Sequence, residues 1–134
     1  MKKILFFTFV AILLSSASTH EVAKKANVIS IGYHSDLCEE CNALKAKMKK
    51  MNVKFFSSPI VFIKYDKTNP ATQKKAEKEL LKWGMLDVAK RDDGLKYVIL
   101  YHAATKEKLD QINYDDDIQV MEEKIRQALD AAGR

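Results

Sequence analysis

The chain contains two cysteines, and only two residues separate them in the run Cys38-Glu39-Glu40-Cys41. Cysteines at this spacing at the start of a helix have α-carbons close enough for a disulfide, which usually spans about 4.4–6.8 Å. Asp36 is predicted to be the N-cap of that helix, and Glu39, three residues later, is predicted to close a capping box. Cys38 is then expected in the first helical turn, where free backbone N–H groups and the helix dipole favour a thiolate.

A helix from about Leu37 to Lys50 is predicted from apolar residues that repeat at helical spacing. The repeating residues are Leu37, Cys41, Leu44, Met48 and Met51. This stripe should pack against the core, so we expect Cys41 to face inward and Cys38 to stay at the exposed end. One accessible thiol next to one sheltered thiol is the arrangement that thiol–disulfide exchange requires.

The N-terminus has the three parts of a secretory signal peptide. Met1-Lys2-Lys3 is basic, the run from Ile4 to Leu14 is apolar, and Ser15-Ser16-Ala17 supplies small residues for cleavage. The alternative is an uncleaved membrane anchor, but a spanning helix needs about 20 apolar residues and this run has about half that number, which favours cleavage. We therefore predict a signal peptide over residues 1–17 and export to the periplasm or the extracellular space, where a disulfide can persist.

The remaining residues, 18–134, are predicted to form one domain, because 117 residues suffice for a single hydrophobic core. The formal charge of +5 includes Lys2 and Lys3 and is +3 without them. So weak a positive charge does not indicate nucleic-acid binding. Two cysteines cannot build a scaffold of several bridges, so the pair is interpreted as functional. We expect a monomer.

Short runs rich in β-branched and aromatic residues predict strands, and amphipathic runs with capping signals predict helices. The predicted strands are 27–33, 59–65 and 95–102, with an edge strand at 107–113; the predicted helices are the cysteine helix, a helix from Pro70 to Gly84, and a last helix after Asp115–Asp117. Residues 85–94 are predicted to be irregular. The order β-α-β-α-β-β-α predicts an α/β fold with a four-stranded mixed sheet flanked by helices. Its first two strands should be parallel, and its last two should form a hairpin.

This pattern resembles the thioredoxin-like superfamily. The resemblance rests on Val28–Tyr33 leading into Cys38–Cys41, on Tyr65–Pro70, and on the strand Tyr97–Tyr101. A Cys-x-x-Cys directly after the first strand is typical of its redox proteins. The resemblance implies a thioredoxin-like fold and a dithiol–disulfide oxidoreductase, with Cys38 attacking the substrate disulfide and Cys41 resolving the mixed disulfide. Its substrates would be cysteines of other exported proteins, and it would need a redox partner but no cofactor.

Three positions differ from the usual pattern of that superfamily. The cis-proline usually found before the third strand has no match, and Lys96 or Tyr97 occupies that region. Leu37 stands where a tryptophan usually precedes the first cysteine, and Gly32 stands where thioredoxin has a buried acid. His34 is therefore the candidate proton shuttle for the second cysteine.

Glu39 and Glu40 place negative charge beside the sulfur of Cys38. Like charge disfavours a thiolate, whereas the helix N-terminus favours it. We expect the two effects to leave the pKa of the Cys38 thiol near the ordinary value of about 8.5. Because a destabilised thiolate makes the disulfide harder to reduce, we predict a reductant-like or weakly active couple, not a strong oxidant.

Two other functions fit the same residues. In the first, the cysteines form a permanent disulfide in a non-catalytic binding module of the same fold. In the second, Cys38, Cys41 and His34 supply two thiolates and an imidazole, a ligand set suited to Cu(I). A zinc site would need a fourth ligand, which the sequence does not indicate.

Overall fold

The computed structural model describes residues 25–134, so the predicted signal peptide, 1–17, and the first residues of the predicted domain lie outside the described residues. The elements are β1 Val28–His34, α1 Glu39–Lys54, β2 Ile60–Asp66, α2 Pro70–Lys82, α3 Leu86–Arg91, β3 Tyr97–His102, β4 Lys108–Asn113 and α4 Ile118–Ala132. The predicted order of strands and helices is confirmed, with one additional short helix, α3. Within the described part of the chain, no helix combines the length and the apolar content needed to cross a bilayer.

The four strands form one mixed sheet in the order β2-β1-β3-β4. As predicted, β1 and β2 are parallel, with His34 opposite Asp66, and β3 forms an antiparallel hairpin with β4. β3 also lies antiparallel to β1. The end of β1, the end of β2 and the start of β3 therefore lie at the same edge of the sheet. The segments 35–38, 67–69 and 92–96 meet there because they adjoin those strand ends.

Alternate residues of β1 pack into two hydrophobic cores, one on each face of the sheet. Ile29, Ile31 and Tyr33 pack with Leu80 of α2 and with residues of α3. Val28 packs on the opposite face, with residues of α1 and α4. Helices therefore cover both faces, as the fold class predicts.

The start of α2 follows its sequence signals. Asn69 is the N-cap, Pro70 occupies the first helical turn, and Asn69 and Thr72 form a reciprocal capping box. Gly84 follows the end of the helix with φ +67°, a left-handed conformation that favours glycine.

The connection from α2 to β3 departs from the prediction of an irregular segment over 85–94, because Leu86–Arg91 forms α3. No side chain caps the N-terminus of this helix, but Val88 and Ala89 are buried in the core. Packing therefore stabilises α3, since a helix this short is unstable alone. Local sequence signals do not reveal an element of this kind.

Candidate functional site

The two cysteines lie at the start of α1 and form a disulfide, with their α-carbons 5.2 Å apart. Cys38 is the N-cap residue, and its sulfur accepts a hydrogen bond from the backbone N–H of Cys41 at 3.2 Å. Cys38 is partly exposed, whereas Cys41 is 1% exposed. The expected combination of one partly exposed and one buried cysteine is therefore present.

The N-cap and the capping box predicted for α1 are wrong. Asp36 lies in a turn in which the N–H of Cys38 donates to the carbonyl of Ser35 at 3.1 Å. The N–H of Asp36 itself donates to the hydroxyl of Thr68, which follows β2, at 2.9 Å. Because these contacts hold the segment as a turn against the end of β2, the helix begins only at Glu39.

This later start changes the position of Leu37, which the sequence places in the inward-facing stripe. Leu37 precedes the helix and is 88% exposed, so that prediction is wrong. The rest of the stripe is confirmed, since Cys41, Leu44 and Met51 are buried and Met48 is partly buried. An exposed leucine thus lies directly beside the accessible cysteine.

His34, the candidate proton shuttle, lies at the end of β1 and is 3% exposed. Its Nε2 lies 2.6 Å from a carboxylate oxygen of Asp36, so the residue predicted to cap the helix is instead the partner of this ring. Asp66, at the end of β2, completes a group whose potential ligand atoms lie within 4.8 Å of one another. Burial raises the pKa of Asp66, but hydrogen bonds from the hydroxyl and N–H of Thr68 outweigh burial and lower it overall. This group contains neither cysteine, and the copper ligand set stays a prediction.

A cavity of about 240 Å³ lies between α1 and the sheet, with Cys41 and His34 in its wall. Two small residues of β1, Ser30 and Gly32, also line it and leave the space open. A Cβ on Gly32 would meet its nearest neighbour, a methyl group of Val98, at 3.5 Å, so a side chain could start there. The space beside Gly32 is therefore open, and His34 and Cys41 both line it.

The two glutamates between the cysteines differ in their surroundings. Glu39 is exposed, whereas one carboxylate oxygen of Glu40 lies 3.9 Å from Sγ of Cys38. The other carboxylate oxygen of Glu40 lies 3.5 Å from Nζ of Lys96. A backbone hydrogen bond within Glu40 and the charge of Lys96 lower the pKa of Glu40. Both glutamates are predicted to tune the Cys38 thiol, and Glu40 is the one with a contact to its sulfur and to Lys96.

The loop 92–96, which carries Lys96 to the cysteines, is held by polar contacts. Lys67, directly after β2, donates to the carbonyl of Gly94 at 2.6 Å and forms an ion pair with Asp93. Residues 25–134 contain no cis peptide bond, and these contacts hold the loop before β3. Lys67 and Gly94 are 27 residues apart, so no local motif identifies this anchor.

Asp92 anchors the other end of that loop. The hydroxyl of Tyr97 donates to the Asp92 carbonyl at 2.6 Å, and the hydroxyl of Tyr101 donates to its carboxylate at 2.7 Å. A hydrogen bond from Arg91 lowers the pKa of Asp92, and with the hydrogen bond from Tyr101 it outweighs the effect of burial. The ionised carboxylate therefore stabilises the fold at neutral pH.

Asp92→Asn should reduce the pH dependence of stability in acid. Because the pKa of Asp92 is lower in the folded chain, its carboxylate stabilises the fold fully above the unfolded value of about 4, and this contribution is lost as the pH falls through the folded value. The variant should be less stable than the parent at pH 7, with a difference that shrinks in acid. Urea unfolding across this range measures it, with Asp87→Asn as an exposed control in α3. A difference in the free energy of unfolding between variant and parent that did not change with pH would contradict the stabilising role of the Asp92 carboxylate.

A parallel β1–β2 pair, a β3–β4 hairpin, helices on both faces and a Cys-x-x-Cys at the start of the first helix make up a thioredoxin-like fold. Among solved structures, a Chlorobium tepidum protein described as a thiol:disulfide interchange protein DsbE superposes with a TM-score of 0.55. It is 18% identical, over 79% of this chain and 82% of that chain.

Two further solved structures are similar at a lower score. Trxlp from Edwardsiella tarda has a TM-score of 0.49 and 14% identity, over 76% of this chain and 85% of that chain. The thioredoxin Deadhead from Drosophila melanogaster has a TM-score of 0.49 and 13% identity, over 79% and 85% of the respective chains. The sequence matches no protein-family model and no curated protein sequence.

Proposed function

We propose that this protein is an exported thiol–disulfide oxidoreductase that acts on cysteines of other exported proteins. The observation that carries the proposal is the disulfide at the N-terminus of α1, in which Cys38 is partly exposed and Cys41 is buried. This asymmetry lets a substrate disulfide reach the sulfur of Cys38, while the sulfur of Cys41 lies within bonding distance of Cys38. The predicted signal peptide over residues 1–17 supports export.

The proposed reaction moves two electrons between a dithiol and a disulfide. In the reducing direction, the thiolate of Cys38 attacks one sulfur of the substrate disulfide, forms a mixed disulfide and releases the other sulfur as a thiolate. Cys41, once deprotonated, attacks the Cys38 sulfur and releases the second substrate thiolate, which leaves the Cys38–Cys41 disulfide. A dithiol redox partner then reduces this disulfide by the same two exchanges and becomes oxidised itself.

Two features of the site support ionisation of the thiols. The N–H of Cys41 points at the sulfur of Cys38, and the same contact would stabilise a thiolate there. His34 shares a cavity with Cys41 and is hydrogen-bonded to Asp36. We assign His34 as the proton carrier for Cys41, because a buried imidazole with a carboxylate partner can accept and return a proton.

The couple is proposed to be reducing or weakly active. The Glu40 carboxylate, 3.9 Å from Sγ of Cys38 and only partly balanced by Lys96 at 3.5 Å, disfavours the thiolate and hence the reduced form. Equilibration with glutathione buffers measures the potential of the pair. We expect a value below about −150 mV, and a higher value, near the strong-oxidant end of the range, would reject this assignment.

Reduction of insulin by the purified protein, with dithiothreitol as the source of electrons, tests the proposed activity. Turnover above the rate with dithiothreitol alone is the expected result. A protein without turnover whose disulfide persists would support the non-catalytic module instead. Mass spectrometry of the reduced protein with Cu(I) tests the copper carrier, which requires a stoichiometric complex.

A further inference from the structure

A chain of charged groups links Lys96 to the sulfur of Cys38. The Lys96 ammonium lies 3.5 Å from one carboxylate oxygen of Glu40, and the other oxygen of that carboxylate lies 3.9 Å from Sγ of Cys38. Another nearby cation, Lys45, is 3.9 Å from Asp36 instead. Among residues 25–134, Lys96 is thus the cation that pairs with a residue between the two cysteines.

The backbone conformation at Lys96 favours glycine over a residue with a side chain. Its φ is +74°, a left-handed conformation that is unfavourable for a residue with a Cβ and that glycine adopts freely. The N–H of Tyr114 donates to the Lys96 carbonyl at 3.1 Å. Lys67 donates to the carbonyl of Gly94, two residues before Lys96, at 2.6 Å. These contacts explain the turn but do not require a lysine side chain in it.

We propose that Lys96 is a positioning residue for the nucleophile, whose ammonium compensates the charge of Glu40 and so favours the Cys38 thiolate once the disulfide is reduced. The proposal rests on the proposed thiol–disulfide function and adds a control of thiol reactivity to it. Reduction and ionisation place a new negative charge at Cys38 beside Glu40. The exposed Glu39 adds a further negative charge between the two cysteines. Without the lysine, two like charges face each other and the thiolate is disfavoured.

The test measures alkylation of Cys38 by iodoacetamide as a function of pH, in protein in which Cys41→Ser leaves a single thiol. Lys96→Met is expected to slow alkylation at pH 7 roughly threefold and to move the midpoint of the pH profile upward. Lys96→Arg keeps the charge and should restore most of the rate. Lys106→Met is the matched control, because Lys106 also has a positive φ, +63°, but lies in the β3–β4 turn at the opposite end of the sheet.

Lys96→Gly separates the charge from the fold. It removes the ammonium, so alkylation should slow as in Lys96→Met. Glycine also removes the conformational cost of a left-handed residue with a Cβ, so the thermal unfolding midpoint should stay the same or rise. The proposal is overturned if Lys96→Met reacts at the parent rate, if Lys96→Arg is as slow as Lys96→Met, or if Lys106→Met slows equally. Alkylation needs no substrate turnover, so a failure to reduce insulin would reject the oxidoreductase while the alkylation rates still decide the role of Lys96.

Discussion

Serine in place of Cys38 is expected to reduce disulfide turnover to background, a loss of roughly a hundredfold or more, whereas serine in place of Cys41 is expected to trap a mixed disulfide. Cys38 is partly exposed and Cys41 is buried, so an incoming disulfide reaches Cys38 first. Without Cys38, the remaining thiol is sheltered and the first exchange does not begin. Without Cys41, the first exchange proceeds and no thiol of the chain releases the bound substrate.

The two variants are controls for each other, because both remove the same disulfide and lose the same covalent constraint. Insulin turnover measures the first effect, and mass spectrometry of acid-quenched mixtures with a small disulfide measures the adduct. The adduct should form on Cys41→Ser and not on Cys38→Ser. An adduct that forms only on Cys38→Ser, through its remaining Cys41, would reverse the assigned roles. Equal adducts on both variants would show that burial does not control access to the two sulfurs.

Much of the frame around the site is predictable because the relevant signals are local. β-branched runs such as the one around Ile31 specify the strands, and a parallel pair joined through a helix fixes the edge at which the cysteines lie. Asn69 and Pro70 mark the start of α2 within one residue of its position. The Cys-x-x-Cys spacing itself brings the sulfurs together once a helix begins there.

The start of α1 shows where local signals fail. Asp36 and Glu39 have the spacing of a capping box, yet the N–H of Asp36 donates to Thr68, 32 residues later, and its carboxylate binds His34. Thr68 reaches Asp36 only because β1 and β2 pair in register, with His34 opposite Asp66. A contact that depends on strand pairing competes with the local cap and does not appear in the local pattern.

The loop before β3 was unpredictable for the same reason. The absence of a proline before β3 is visible in the sequence, but the contacts that hold this loop are not, because Lys67 follows β2 whereas the Gly94 that it binds precedes β3. The consequence for function is that Lys96 reaches Glu40 through contacts made by three separate segments. The residues that we propose to tune the cysteines can therefore be identified only after the fold brings those segments together.

Leu80→Ala is expected to lower the free energy of unfolding by about 2–5 kcal/mol. Leu80 is 0% exposed and belongs to the core between the sheet, α2 and α3. The same core contains Tyr101, whose hydroxyl holds Asp92, so loosening it should also loosen the loop that carries Lys96. Leu81→Ala is the matched control, because Leu81 is the next residue of the same helix but is 66% exposed, and its loss should be about 0.5 kcal/mol.

Urea unfolding followed by far-UV circular dichroism gives the free energy of unfolding of both variants. Each variant exchanges leucine for alanine in the last turn of α2, so helix propensity changes by a similar amount and the difference between the two variants reports mainly on burial. A loss at Leu81 as large as that at Leu80 would mean that α2 is rotated against the sheet with Leu81 turned inward. That rotation would also displace the Asn69 cap and the end of β2, which together with the turn at Asp36 set the point where the cysteine helix begins.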